Sequence, residues 1–446
     1  MNGGFDSPVA LSIGTNNFEK EDVMKKFLVF ARNAWVPGLL FIFACCQAQE
    51  LPATVHMTPI KATKLVPVKL IVPEKFKGMI KDDLVLNVPE GYTAKVFYTG
   101  GLSKARFFAW GPDSVLYVAN KNSGEIFAMP DRNHDGVADT AIIAASGFHL
   151  SHDVQFYHGA MYVAEERRII KCTDENGDGI YETKKVFIDE IGKGARQPTG
   201  GHDTRTIVFD PERKKMYLSI GSSCNVCRED FRAIIEEYND DGTGRRTFAT
   251  GIRNAVGMTL HNGRLWATNN GSDWEGNDIP PEWIGVIRNG GFYGHPFAYA
   301  DGIYFDFNAH DEYRALLPLT EKDSALVRSM KPPAALVQAH SAPMAIQFSN
   351  PSFPPQFQNG AFVVFRGSWN RTIPTGYKLV FLKFKNDEDT TAEYVTDVVT
   401  GFQPTGSVSQ KTVWGRPVGV ATDLRGNIYL SSDDITQFIA IISPPR

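Results

Sequence analysis

The sequence is short of what several common protein classes require. Cysteine is scarce: there are five in 446 residues, and two of them, Cys45 and Cys46, are adjacent near the N-terminus. The other three, Cys172, Cys224 and Cys227, are too few for a disulfide framework. Charge of one sign is lacking as well. Lys and Arg total 46 against 50 Asp and Glu, a net charge of −4, so there is no basic excess to draw in nucleic acid. No apolar run reaches the roughly 20 residues of an ordinary membrane-spanning helix. Also missing are a G-x-G-x-x-G between strand and helix, a P-loop and a G-x-S-x-G elbow. These absences argue against a Rossmann nicotinamide or flavin enzyme and against a serine hydrolase of the elbow type. No sustained period of 3.6 residues marks a helical domain.

What remains is a globular composition, 43% apolar and 22% charged, with 40 Gly, 26 Pro and 12% aromatics. Such a mixture suits many strands and many turns. The N-terminus carries its own signal. Met24-Lys25-Lys26 and Arg32 precede the apolar run Trp35–Ala44 and then Cys45-Cys46-Gln47-Ala48. A basic segment, a short apolar segment and a small-residue exit are the parts of a secretory signal. The expected division is therefore an upstream extension plus export signal over 1–48, with translation starting at Met24. A linker over 49–83 and one large domain over 84–446 follow. The protein is expected to be exported, either periplasmic after cleavage near Ala48 or held at the outer membrane as a lipoprotein through Cys45.

From about residue 84 one unit recurs: an apolar strand, a turn containing Pro, Asp or Gly, then a strand centred on an aromatic. It begins at Phe107, Val154, Ile207, Met258, Ala345 and Val418. The early copies lie about fifty residues apart, and insertions such as 273–340 stretch the later ones. A strand-rich unit of that period cannot bury its own faces and must stack on its neighbours. The fold class expected is all-β, a six-bladed β-propeller, closed by a strand drawn from Leu84–Phe97. Its chemistry should sit in an axial funnel, lined by the loops that follow the inner strands.

Several loops carry polar groups suited to such a funnel. His202, in Gly200-Gly201-His202-Asp203, is a candidate general base, because an imidazole with pKa near 6.5 exchanges protons around neutrality. Arg253 precedes the fourth repeat, Arg366 and Arg371 follow the second strand of the fifth, and Arg416 leads into the sixth. Gathered together they would form a cationic well for a small polyanion, since guanidinium forks pair with carboxylates in two-pronged fashion. Cys224-Asn-Val-Cys227 lacks the following His of a haem site and the second pair of a zinc site. It is left as a local disulfide, the preferred reading, or two thiols. The loops beginning at Asp131 and Asp174 match the first half of a calcium-binding EF-hand loop but lack its final Glu, so they read as hairpin turns or as structural calcium sites.

Taken in order, Gly200-Gly-His202, Gly221-Ser-Ser-Cys-Asn-Val-Cys227, Gly251-Ile-Arg-Asn254, Gly290-Gly-Phe-Tyr-Gly-His-Pro296, His340-Ser-Ala-Pro343 and Gly367-Ser-Trp-Asn-Arg371 resemble the glucose/sorbosone dehydrogenase family, nearest its L-sorbosone branch. The resemblance implies an exported propeller that oxidises a sugar or sugar aldehyde with pyrroloquinoline quinone (PQQ) and calcium, passing electrons to an external cytochrome or quinone. It implies His202 as the base and Arg253 as the partner of the quinone oxygen. It further implies Asn254, Arg366, Arg371 and Arg416 as cofactor contacts, and backbone oxygens of Gly271 and Ser272 as calcium ligands. Three positions depart from the family pattern. Ser222 stands where a carboxylate orients the base, leaving Asp203 as a substitute, and Val256 and Val418 replace a Gln and an Arg. These departures keep two other readings open, a non-catalytic carbohydrate-binding propeller and a calcium-dependent lactonase.

Overall fold

The computed structural model describes residues 51–445. The export signal, the Met24 start and the anchoring Cys45 lie outside the described residues. Among the described residues no helix is long and apolar enough to cross a membrane.

The described residues form six sheets of four strands or more, antiparallel except where Gly291–Phe292 adds in parallel to the edge of the third. Their first strands are Ala105–Trp110, Asp153–Tyr157, Ile207–Asp210, Met258–His261, Pro343–Phe348 and Gly415–Thr422. Each of these packs against the first strand of the next sheet, and the sixth returns to the first, so the sheets close a ring around an axis. This is the expected six-bladed propeller. The repeat positions explain themselves once the ring is closed. The second strand of each blade is pressed between two neighbouring blades and is apolar on both faces, as doubly covered strands are. Leu116–Asn120, Ala160–Ala164 and Gly360–Phe365 are buried along their whole length. The recurring aromatic of the repeat, Tyr117, Tyr162, Tyr217, Trp266, Phe362 and Tyr429, is buried in every blade. Outer strands such as Thr183–Ile188 face water and carry lysines.

Closure uses only part of the segment expected for it. Thr93–Tyr98 adds to Phe438–Ser443 as the outer strand of the sixth blade, whereas Val85–Pro89 pairs with Leu65–Lys69 in a separate ribbon. Residues 51–83, read from sequence as a linker, are packed: Leu70, Phe76 and Ile80 join the core beneath the fifth and sixth blades. Their apolar spacing was too irregular to register as an element. The insertion within 273–340 holds a small hairpin, Ala298–Tyr299 with Ile303–Tyr304, and the helices Asp311–Arg314 and Glu321–Arg328. Phe297, Phe305, Tyr313 and Val327 give it an apolar centre of its own.

The Asp131 and Asp174 loops are turns between third and fourth strands. Asp174 accepts hydrogen bonds from the amides of Asn176, Gly177, Asp178 and Gly179, which hold its carboxyl below the usual range even against the cost of burial. Cys224 and Cys227 are joined as a disulfide. Cys172 is a buried free thiol whose pKa burial pushes up to about 12, so it is chemically quiet.

Candidate active site

Antiparallel order places the start of every first strand and the end of every second strand at the same mouth of the ring. The funnel is therefore lined by the loops that precede the inner strands, not by those that follow them as the sequence suggested. The start of the first blade's inner strand supplies Arg106, the loop before the third supplies His202, and the loop before the fourth supplies Arg253 and Asn254. Arg366 follows the second strand of the fifth blade, and Arg416 opens the sixth. All six line one cavity of about 260 Å³.

His202 is fixed by hydrogen bonds to one neighbour. Its Nδ1 lies 2.8 Å from the Ser222 carbonyl oxygen and 3.0 Å from Ser222 Oγ. The Ser222 hydroxyl donates onward to the Cys224 carbonyl at 2.7 Å, so its oxygen is an acceptor towards the imidazole. Nδ1 therefore carries the proton and Nε2 keeps a free lone pair. Burial, followed by the charge of Arg253, holds the His202 pKa well below its ordinary value. The ring is neutral at neutral pH. Asp203, considered as a substitute orienting carboxylate, is engaged elsewhere: both its oxygens accept from Lys121 Nζ at 2.9 Å. A backbone carbonyl and a hydroxyl do the orienting instead.

The guanidiniums differ in how they are held. Arg106 and Arg366 both pair with the buried Asp433. Burial alone would raise the Asp433 pKa, but the two arginines hold it below its usual value. The Arg416 guanidinium donates to the carbonyls of Arg366 and Gly367 and lies over the Tyr377 ring, and burial followed by the charge of Arg366 lowers its pKa to about 10. Arg253 donates to the Asn225 carbonyl at 2.9 Å and to Asn225 Oδ1 at 3.1 Å, with Asp273 at 3.4 Å. Burial depresses its pKa and that of Arg106. The cavity thus holds more cationic donors than the protein's own carboxylates satisfy.

Two expected residues are not in the cavity lining. Arg371 turns aside and pairs with Asp278 at 2.9 Å and with the Asn277 carbonyl, because the loop that carries these two residues packs against its own and offers an acidic partner. Ser272 sits behind the wall, its Oγ receiving the Tyr313 hydroxyl at 2.8 Å. Gly271 does line the cavity, and its amide donates to Glu282. The sequence reading missed Arg106, Asp273, Glu282 and Asn370, all of which line the cavity. Burial raises the Asp273 and Glu282 carboxyls, the latter to about 8. Only the repeat register could have found Arg106, since it is the residue just before Phe107 in the first copy. Glu282 lies in an insertion without a motif.

The glycines of the motifs have physical reasons. Gly201 has φ +62°, and a methyl there would strike the Ser223 carbonyl, pushing apart the two loops that hold His202. Gly251 has φ +73° and lies under the Phe292 ring. The Gly290–Pro296 motif props this loop from outside, with the amides of Tyr293 and His295 bonding the Thr250 and Gly251 carbonyls at 3.0 Å. Gly201→Ala is expected to destabilise the fold by about 1–2 kcal/mol, seen as a lower Tm.

Comparison with known proteins agrees with this architecture. A protein of Borreliella burgdorferi described as uncharacterized is 25% identical over 357 residues, which is 78% of this chain and 88% of that one. Among solved structures, the holo form of the pyranose dehydrogenase PQQ domain from Coprinopsis cinerea gives a TM-score of 0.65 at 19% identity, over 80% of this chain and 97% of that one. The calcium structure of a Trichoderma reesei carbohydrate-active enzyme of family AA12 gives 0.64 at 20% identity, over 80% and 96%. The apo aldose sugar dehydrogenase of Escherichia coli gives 0.55 at 14% identity, over 79% and 99%. At these identities the likeness is one of fold. The TrAA12-like family model, by contrast, matches the sequence itself over residues 86–279 and 284–444. The chain belongs to the TrAA12-like family.

Proposed function

We propose that this protein is an exported PQQ- and calcium-dependent dehydrogenase that oxidises a sugar or sugar aldehyde. The observation that carries the reading is the convergence, on one cavity, of a neutral imidazole with a free Nε2 and the guanidiniums of Arg106, Arg253, Arg366 and Arg416. A tricarboxylate fits such a donor set, and among the described residues Arg416 has no carboxylate partner of its own. Asn370 Oδ1 is buried and unpartnered at the same cavity, as an acceptor waiting for a ligand donor would be. For calcium, the oxygens of Asp273 and Glu282 beside Gly271 are the hard donors that the ion prefers. Two structural relatives, a pyranose dehydrogenase PQQ domain and an aldose sugar dehydrogenase, support the same assignment.

Bound there, PQQ would supply a two-electron acceptor and calcium a Lewis acid. The chain's own part is to place and deprotonate the substrate. His202 Nε2 takes the proton of the substrate hydroxyl while its Nδ1–H stays on Ser222. Arg253 supplies donors where negative charge develops. Arg106, Arg366 and Arg416 would hold the PQQ carboxylates, and Asn254 borders the same space. Electrons leave to an external cytochrome or quinone, and a lipid anchor at Cys45 would keep the protein at the outer membrane. A sorbosone-type aldehyde is one substrate class to try beside aldoses.

The test is titration of the purified mature chain with PQQ in the presence of calcium, followed by dye reduction. Saturable absorbance change and sugar-dependent dye reduction are expected, and a chain that binds no PQQ overturns the reading. Arg416→Ala is expected to weaken PQQ binding by about ten- to a hundredfold. One observation favours a second reading. Acidic and amide side chains, Asp273, Glu282, Asn254 and Asn270, gather around Gly271, the kind of set a calcium-dependent lactonase uses. Lactone hydrolysis that needs calcium and proceeds without PQQ would establish that alternative.

A further inference from the structure

Two tryptophans stand uncovered at the rim of the cavity. Trp369 is 58% exposed and lines the cavity, and Trp274, 50% exposed, follows the cavity residue Asp273. Their rings meet edge to face, 5.8 Å apart at 84°, and make an open corner. His310 extends one wall, stacked on Trp274 at 5.9 Å and 23°. A soluble surface does not ordinarily leave two such rings in water without use.

The corner is also held in place. Trp274 has φ +77°, a left-handed conformation that a bulky aromatic rarely adopts and that glycine would adopt freely. Strain at an exposed aromatic beside a cavity is of the kind kept for a ligand. Hydrogen bonds tie the two loops together. Asn277 Nδ2 donates to Thr372 Oγ1 at 3.2 Å, the Thr372 amide donates to Asn277 Oδ1 at 3.0 Å, and Arg371 pairs with Asp278. This strap is what occupies Arg371, and it fixes the corner before any ligand arrives. Below the corner, towards the cavity, lies Asn370 with its buried, unpartnered Oδ1.

We infer that this corner is a saccharide subsite: it takes the pyranose ring linked to the sugar unit that enters the cavity, so that the substrate is an oligosaccharide rather than a free monosaccharide. The inference rests on the reading that the cavity oxidises a sugar. The chemistry follows from the residues. One face of a pyranose presents C–H groups, which the negative face of an indole attracts while both surfaces leave water. A hydroxyl at the ring edge finds the acceptor at Asn370 Oδ1. The continuity of Trp369 with the cavity makes this a linked sugar unit rather than a separate docking face.

The test uses the full mature chain, with and without PQQ and calcium, in calorimetric titrations against gluco-, manno-, galacto- and xylo-series saccharides, from the monosaccharide to the tetrasaccharide. In at least one series, affinity is expected to rise by about tenfold on adding the second unit. Trp274→Ala and Trp369→Ala should each remove that gain, Trp274→Ala while leaving monosaccharide affinity unchanged because Trp274 stands outside the cavity lining, and the Phe variants should retain part of it. Equal affinity across all lengths in every series overturns the inference, as does a gain that survives both alanine variants. Variants that alter only the KM for the electron acceptor also overturn it, assigning the corner to that partner. Dye reduction by monosaccharides without any length effect sinks the subsite alone. A length effect without PQQ binding sinks the dehydrogenase reading and spares the subsite.

Discussion

His202→Ala is expected to lower kcat for sugar oxidation by about 10²–10⁴-fold while PQQ still titrates. The expectation follows from the tautomer: Nδ1 is committed to the Ser222 carbonyl and hydroxyl, so Nε2 is the ring's free acceptor at the cavity. Ser222→Ala should cost far less, because the backbone carbonyl remains. Asp203→Asn should leave the orientation of the base alone, since Asp203 serves Lys121. The pH profile provides a second readout. In the proposed reaction the working form is the neutral imidazole, and burial and Arg253 lower its pKa. Activity should therefore persist as pH falls through about 6.5, where an ordinary imidazole would protonate, and decline only well below it. A polyanion beside Arg253 offsets the second of those causes, so bound cofactor should move the acid limb upwards. Full activity in His202→Ala would remove the base assignment while leaving the anion well untouched.

The ring was legible in the sequence because its repeat has a physical cause. An aromatic such as Tyr117 or Tyr429 must sit between blades, and the turn before it must carry Gly, Asp or Pro, so each copy bears the same marks. The site was legible where one loop holds a motif, as with His202, Arg253 and Asn254. It was illegible where partners meet only in space. Nothing near Arg371 in the chain announces Asp278, which lies 93 residues away and claims its guanidinium. Nothing before Phe107 marks Arg106 as a cavity residue, because its partner Asp433 comes from the other end of the chain. Ser222 looked like a loss at the position of a carboxylate, yet its backbone carbonyl does what the side chain was expected to do. Backbone groups leave no trace in residue identity. The same blindness applies to residues 51–83, whose apolar positions match no simple period yet cover the fifth and sixth blades.

Arg253→Ala carries the second large expectation, a fall in kcat of about 10²–10³-fold, measured by dye reduction at saturating PQQ. Arg253→Lys should recover little. The guanidinium donates through Nε to the Asn225 carbonyl and through Nη2 to Asn225 Oδ1, a fork that an ammonium cannot match. Asn225 in turn accepts the Asp273 amide at 2.8 Å and donates to the Asp273 carbonyl at 3.2 Å, so one side chain fastens two loops of the cavity wall. It stands between Cys224 and Cys227, and the Cys224 carbonyl anchors the Ser222 hydroxyl that faces His202. The disulfide thus closes the loop on which both the proposed base, His202, and the cationic donor Arg253 depend. Replacing both cysteines with serine should lower kcat and leave sugar KM little changed, because the loop that loosens positions catalytic groups rather than the rim. Asn225→Ala should reproduce the share of that loss that runs through Arg253 and spare the share that runs through Ser222. If the double serine variant keeps full kcat while Asn225→Ala does not, the hydrogen bonds alone hold Arg253 and the covalent link serves stability.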